Sequence, residues 1–365
     1  MNMKKLLVCS DSFKGTLSSL DIANISKVVV NKFFKDKFIL KTMLIADGGE
    51  GSLEAFEQYF NGEIINIKTV DGENQAINSP VLINKSNKEA FFEVSSIVGL
   101  PLVKNIISPL ERTTKGIGIV IKDLIQNGYE KITIALGGSS TSDLGIGMMQ
   151  ELGVDFGIKE NLTLLNANKI TKIDTSKAIF INKNIEIICL SDVTNPLLGP
   201  NGANYVFAKQ KGFSPLQIEN NEIIFNHITS LMKRDLNKDL SSTPKLGAAG
   251  GLSGAFYAFF NATIKSGIEE LMKLSDFENE CQKYDLIITG EGCFDNQSLN
   301  GKVISGILKY VNKDKLIIIC GKSQIDKNIC IKIYETSNPF MKYSYIKRNA
   351  KELYKNTLIK VLNEN

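Results

Sequence analysis

Six short runs of apolar and β-branched residues recur along the chain, and each ends in a small, polar or acidic tip. Leu6–Cys9 leads to Asp11-Ser12-Phe13-Lys14-Gly15, Met43–Ala46 to Asp47-Gly48-Gly49-Glu50-Gly51, and Ile132–Leu136 to Gly137-Gly138-Ser139-Ser140-Thr141. Ile185–Leu190 leads to Ser191-Asp192, Leu286–Thr289 to Gly290-Glu291-Gly292, and Leu316–Cys320 to Gly321-Lys322-Ser323. Runs that are apolar throughout, rather than alternating, predict strands of a sheet covered on both faces. Helical stretches follow two of the tips, at Leu53–Phe56 and Gly147–Leu152. This βα alternation predicts a parallel α/β fold, in which ligands bind beyond the carboxyl ends of the strands. All six tips lie at that end.

Residues 61–130 read differently. Glu63–Val70, Ala76–Ile83 and Ala90–Val94 are short strand patterns joined by turn residues such as Asp71-Gly72, which predicts a more antiparallel element. No Pro/Gly/Ser-rich linker separates it from its surroundings. The Lys/Asn-rich stretch from Lys159 to Asn184 reads as surface decoration.

A length of 365 residues suggests two domains. A net charge of +4 is too small for a dedicated nucleic-acid surface. Almost all positive charge is lysine, because Arg112, Arg234 and Arg348 are the only arginines. Anions are then met as point charges rather than by bidentate forks. No apolar run is long enough to span a bilayer, and the N-terminal run is too short for a signal peptide, which points to the cytoplasm and away from a membrane. None of the six cysteines forms a CxxC pair, and Cys9, Cys189 and Cys320 read as buried thiols. The single histidine, His227, lies in an apolar helical stretch and reads as packing or surface.

The tips carry the candidate chemistry. Gly137, Gly138, Ser139 and Thr141 combine approachable backbone N–H groups with hydroxyls, which suits phosphate or carboxylate; the same residue types also cap helices. Asp47 and Glu50 flank two glycines that permit a sharp turn, so they either face a cleft and hold magnesium or sit at a helix start. The segment from Gly290 through Glu291, Cys293 and Asp295 to Gln297 and Lys302 gathers acids, an amide and a cation beside one strand end. Phosphoryl transfer needs that set. Asp192 is a candidate metal ligand or base, and Lys211 a candidate anion ligand or an exposed basic turn. Gly247, Gly250 and Gly251 either admit a nucleotide close to the backbone or serve helix packing. Asp11 and Lys14 either meet substrate or cap the helix that starts near Ser18.

Taken together and in order, these segments resemble the bacterial type I glycerate kinase family. The matching stretches are Asp11–Gly15, Ala46–Gly51, Gly137–Ser139, Asp192–Leu197, Gln210–Gly212, Gly247–Gly251, and Thr289–Gly292 with Asp295, Gln297, Gly301 and Lys302. Gly116-Ile117-Gly118-Ile119, Ser140, Ser142 and Cys293 depart from that family's usual residues. The resemblance implies ATP-dependent phosphorylation of D-glycerate with Mg²⁺, 2-phosphoglycerate being the usual product. It also implies two α/β domains with the active site in the cleft between them. One is flavodoxin/Rossmann-like with a parallel sheet, from residues 1–60 plus 283–365, and the other is inserted, from 61–282. On this reading Asp192, Asp295 and Lys14 are catalytic. Asp11, Gly137, Gly138, Ser139, Thr141, Asn195, Lys211, Gln297 and Lys302 bind the acid or the phosphate. Gly247, Gly250, Gly251 and Gly290 meet the nucleotide, and Asp47, Glu50 and Glu291 the metal. The expected partners are D-glycerate and ATP, with a homodimer as one assembly open to the chain. A nucleotidyltransferase and a non-catalytic sensor of small acids are the alternatives; the first would release pyrophosphate, the second would consume no ATP.

Overall fold

The computed structural model describes residues 3–241, 243–296, 298, 303–325 and 331–365. Its strands are β1 (Lys4–Val8), β2 (Phe38–Thr42), β3 (Glu63–Val70), β4 (Ala76–Asn84), β5 (Glu89–Glu93), β6 (Lys131–Ala135), β7 (Glu186–Leu190), β8 (Thr263–Lys265), β9 (Leu286–Phe294), β10 (Leu316–Ser323) and β11 (Lys332–Glu335). The chain folds as two compact units. The first comprises Met1–Asp47, Glu54–Tyr59 and Ser266–Asn365; the second comprises Gly48–Leu53 and Phe60–Lys265.

The first unit holds a sheet of order β11-β10-β9-β1-β2, parallel throughout. The central strands carry apolar residues on both faces: Leu6, Leu7, Ile287, Ile288, Ile318 and Ile319 are all buried. That is the requirement of a sheet covered on both sides. Helices Ser19–Val29 and Tyr343–Glu364 pack on one face, where Tyr354, Leu358 and Val361 join Val29, Phe34 and Ile288 in one core. Ser18 caps the first of these helices in a reciprocal capping box with Asp21. Neither Asp11 nor Lys14 therefore serves as that cap.

The second unit holds a sheet of order β3-β4-β5-β6-β7-β8. Its β3-β4-β5 edge is antiparallel, as the patterns in residues 61–130 predict, and β5 through β8 run parallel. The β3–β4 turn is tied by Asp71, whose Oδ1 accepts from the backbone N–H groups of Glu73 and Gln75 at 2.8 Å each.

Two readings change. The strand before the Asp47 tip is Phe38–Thr42, and Met43–Ala46 is the extended link beyond it. The stretch from Lys159 to Asn184 is not decoration: Leu162, Leu164, Ala167, Ile170, Ile173, Ala178 and Phe180 are buried in the core of the second unit. Most of its lysines and asparagines face solvent while the buried apolar residues fall at irregular spacing between them, so average polarity hid the buried side. His227 belongs to this packing, with Nε2 2.7 Å from the carbonyl of Ile170.

Candidate functional site

In the first unit the polar tips of β1, β2 and β9 converge. Beyond Val8 the chain keeps pairing with β9, the Asp11 N–H donating to the Gly290 carbonyl at 3.0 Å. Ser19 ties the tips together: its hydroxyl donates to the Ser10 carbonyl at 2.7 Å and accepts from Ile45 N–H at 3.2 Å. Asp11 is 7% exposed, and its Oδ1 accepts from Ser12 N–H at 2.7 Å. Lys14 Nζ lies 3.5 Å from Asp47 Oδ2.

These charges act on one another. Burial pushes the Asp11 carboxyl well above the usual carboxylate range, the Asp47 charge adds to the shift and Glu291 contributes, while Ser12 N–H and Lys14 oppose it. Asp47 raises the pKa of Lys14, against the effect of burial, with Asp11 and Glu291 adding to the rise. Asp11, Lys14, Asp47 and Glu291 therefore form one coupled cluster at the carboxyl ends of the strands. Perturbed carboxylates concentrate in functional sites for this reason.

Downstream of β9, Asp295 and Ser298 bond reciprocally. Ser298 Oγ accepts from Asp295 N–H at 3.0 Å, and Asp295 Oδ1 accepts from Ser298 N–H at 3.1 Å. Cys293 is exposed, whereas Cys9, Cys189 and Cys320 are buried thiols, Cys320 being pushed by burial up to about 12. Gln297, Gly301, Lys302 and Cys330 lie outside the described residues.

In the second unit the ends of β6 and β7 stay paired, the Leu136 N–H donating to the Leu190 carbonyl at 3.0 Å. The Gly137 N–H donates to the Gly48 carbonyl at 3.0 Å, so it is occupied within the protein. Helix Ile146–Glu151 begins several residues later at Gly145, without a side-chain cap, so Gly137–Thr141 is neither its cap nor its N-terminus. Glu93, 7% exposed, secures the Gly48–Leu53 segment by accepting from Leu53 N–H at 2.7 Å. Glu50 is exposed.

Lys211 corrects an expectation. It is no exposed basic turn: the residue is 3% exposed, and Nζ donates to Ser139 Oγ at 2.9 Å and to the Thr141 carbonyl at 2.6 Å. Burial lowers its pKa to about 7, with Asp143 opposing. It acts on the Gly137–Thr141 loop from behind. Both carboxylate oxygens of Asp192 are shielded from solvent. Asn195 ties the loop after β7 to itself, its Nδ2 donating to the Asn201 carbonyl at 2.8 Å.

Packing leaves no room for a side chain at the glycines assigned to a nucleotide. A Cβ on Gly247 would stand 2.2 Å from the Pro196 carbonyl oxygen, on Gly250 2.3 Å from that of Thr141, and on Gly251 2.6 Å from Leu144 Cδ1. At Gly290 it would stand 1.7 Å from the Ile319 carbonyl oxygen in the adjacent strand. Among the described residues no group of three or more His, Cys, Asp or Glu is arranged to hold a metal ion. The Asp47, Glu50 and Glu291 trio is therefore not assembled as a ready ligand set. A cavity of about 310 Å³, lined by Ile125, Tyr129, Glu130, Lys183 and Ile185 among others, lies at the amino-terminal ends of β6 and β7, opposite the polar tips.

Sequence reasoning missed Arg112 and Glu73, whose side chains are both 2% exposed and whose Nε and Oε1 stand 3.6 Å apart. The available signal was scarcity: where lysine supplies nearly all positive charge, an arginine marks a place that needs a planar fork.

Similarity runs along the whole chain. The family model described as "Glycerate kinase family" matches residues 6–363. The chain is 33% identical to glycerate 2-kinase of Escherichia coli (strain K12) over 314 residues, covering 85% of this chain and 82% of that protein. It is 33% identical to a glycerate kinase of Bacillus cereus over 331 residues, covering 89% and 86%. A crystal structure provisionally assigned as glycerate kinase 2 of Salmonella typhimurium LT2 superposes with a TM-score of 0.78 at 28% identity, covering 100% of this chain and 99% of that one. With a coupled acid–lysine cluster at the strand ends and similarity of that extent, the chain belongs to the glycerate kinase family and is a kinase.

Proposed function

We propose that this protein transfers the γ-phosphate of ATP to D-glycerate, yielding 2-phosphoglycerate and ADP, with magnesium, in the cytoplasm. The observation that carries the reading is the Asp11–Lys14–Asp47–Glu291 cluster. Phosphoryl transfer asks a protein mainly for positioning and for charges that neutralise the moving group. Lys14 is the exposed cation of the cluster and is assigned to the migrating phosphate.

The cluster also fits magnesium. Burial first, and then the neighbouring charges of Asp47 and Glu291, drive Asp11 toward its protonated form, and a cation would relieve the repulsive part. Magnesium is commonly held by one or two carboxylates together with substrate phosphates, so no complete protein ligand set is needed. Asp47 and Glu291 would hold it, with Glu50 as a further candidate; bound with the nucleotide, it neutralises phosphate oxygens. The acid's carboxylate is assigned to the Gly137–Thr141 loop and Asn195. The acceptor hydroxyl must lose its proton as the new P–O bond forms, and Asp192 and Asp295 are the assigned acceptors.

The test is a coupled assay of ADP release over a panel of small hydroxy acids, followed by phosphorus NMR of the product. The expected result is D-glycerate-dependent ADP formation, abolished by chelation of magnesium, with the phosphate on the 2-oxygen. ADP formation indifferent to glycerate would overturn the substrate; a 3-phosphorylated product would overturn the regiochemistry.

A further inference from the structure

We propose that Arg112, paired with Glu73, is a positioning residue for phosphorylation: it sets Ser139 and Thr141 through Lys211. The proposal rests on the assignment of the Gly137–Thr141 loop to the substrate's carboxylate.

Two sets of contacts hold that loop, and they alternate along it. Gly138 and Ser140 are held from one side, the Leu100 N–H donating to the Gly138 carbonyl at 2.9 Å and the Ser140 N–H to the Val98 carbonyl at 2.7 Å. Ser139 and Thr141 are held by Lys211 Nζ, which donates to the Ser139 hydroxyl at 2.9 Å and to the Thr141 carbonyl at 2.6 Å. The position of that ammonium therefore decides where the Ser139 hydroxyl sits. Space around it is tight: a Cβ on Gly250 would come within 3.0 Å of it.

Lys211 is placed in turn by Arg112. It ends the single turn Lys209–Lys211, and its carbonyl accepts from Arg112 Nη1 at 2.7 Å. Arg112 Nη2 donates to Asn105 Oδ1 at 3.1 Å. Glu73, in the β3–β4 turn, stands at 3.6 Å from Arg112 Nε and accepts from Lys104 N–H through its other oxygen at 3.0 Å. The guanidinium thus spans from that turn to the backbone of Lys211, and its planar fork fixes direction as well as distance. Filling this space with apolar side chains would serve packing at least as well, since a buried ion pair is weak evidence for stability. Conveying geometry to a loop is what the pair does that apolar residues cannot.

The experiment is steady-state kinetics on the full chain for Ser139→Ala, Arg112→Lys, Glu73→Gln and the double variant Arg112→Lys/Ser139→Ala, with a melting curve for each. Ser139→Ala should raise KM for D-glycerate by about tenfold, the effect of one hydrogen bond to a charged group. Arg112→Lys and Glu73→Gln should raise it by roughly five- to twentyfold with kcat within about threefold. In the Ser139→Ala background, Arg112→Lys should add less than about twofold to KM, because the two act through one contact. A merely structural role predicts a lower melting temperature with KM unchanged, or KM effects that multiply fully in the double variant; either result overturns the proposal. If Arg112→Lys does not fold, Glu73→Gln, nearly identical in shape, carries the same comparison. If Ser139→Ala leaves KM unchanged, the assignment of the loop itself fails, and the proposal with it. If Ser139→Ala raises KM and the other two do not, only the positioning role fails.

Discussion

Lys14 Nζ stands 3.5 Å from Asp47 Oδ2, linking the loop after β1 to the segment after β2. The lysine side chain is 76% exposed and the aspartate side chain 19%, so the pair is screened by water and adds well under about 1 kcal/mol to stability. The role proposed for the pair is in the reaction. Lys14→Met should leave the melting temperature nearly unchanged and lower kcat by roughly 10²–10³, the usual loss when one preorganised charge on the reacting group is removed. A melt and a steady-state assay decide the matter; turnover within about threefold of the parent would remove Lys14 from the reaction.

Asp11 carries the opposite balance, because it is buried beside like charges. Its folded-state pKa lies above the unfolded one, so the folded protein binds the proton more tightly. Stability is then full below the ordinary carboxylate range and is lost as pH rises until the group ionises in the folded state. Asp11→Asn removes that loss. The variant should be more stable than its parent at alkaline pH by about 1–3 kcal/mol, converge with it at acid pH, and lose activity. Urea melts at a series of pH values test this; an equal stability difference at every pH would contradict the account.

Lys211 supplies a second pH dependence of different sign. Burial brings its pKa down to about 7, so over the range from there to the ordinary lysine value the unfolded state binds more protons and stability rises with pH. Its charge behind the Gly137–Thr141 loop is lost around pH 7, at the lower end of that range. KM for D-glycerate should therefore climb by up to about tenfold between roughly pH 6 and pH 8, as one charge-assisted interaction weakens. Lys211→Arg, which stays charged, should flatten the profile. Parallel profiles for the two proteins would show that Lys211 is not the titrating group.

Much of the fold and site was legible because parallel sheets bury both faces of their strands and leave their polar residues at the carboxyl ends. Asp11, Asp47 and Glu291 could be picked out one by one as tips, and the structure groups them with Lys14. Three things were not legible. The Lys159–Asn184 stretch hides Leu162, Ile170 and Phe180 in an irregular backbone, where no period of two or 3.6 marks the buried side. The glycines at 247, 250 and 251 look the same in sequence whether backbone or ligand fills the missing side chain. Arg112 and Glu73 are 39 positions apart, and only the β3–β4 turn brings them together.

The glycine ambiguity has a direct test at Gly290, where the added methyl would fall 1.7 Å from the Ile319 carbonyl oxygen. That atom belongs to the neighbouring strand, which cannot move without breaking the β9–β10 pairing. Gly290→Ala should cost about 3 kcal/mol or more, the upper range for overpacking a core, and lower soluble yield before any change in nucleotide affinity can be read. A stable Gly290→Ala protein with normal melting and a raised KM for ATP would return the residue to the nucleotide.

The proton acceptor for the glycerate hydroxyl is the remaining assignment, and the two candidates differ in what else they do. Asp295 Oδ1 already accepts from Ser298 N–H and Ser298 Oγ, at 3.1 and 3.3 Å, so part of its carboxylate holds a turn. Asp192 keeps both oxygens away from solvent. Substitution by asparagine preserves shape and one acceptor oxygen while removing the basic carboxylate. Asp192→Asn and Asp295→Asn should therefore separate basicity from structure, and loss of the true base should lower kcat by about 10²–10⁴ with melting unchanged. Ser298→Ala controls for the turn: if it matches Asp295→Asn in both melting and kcat, Asp295 is structural and Asp192 is the base. If both asparagine variants turn over normally, neither residue takes the proton, and the carboxylate with the most perturbed surroundings in the first unit, Asp11, becomes the one to test.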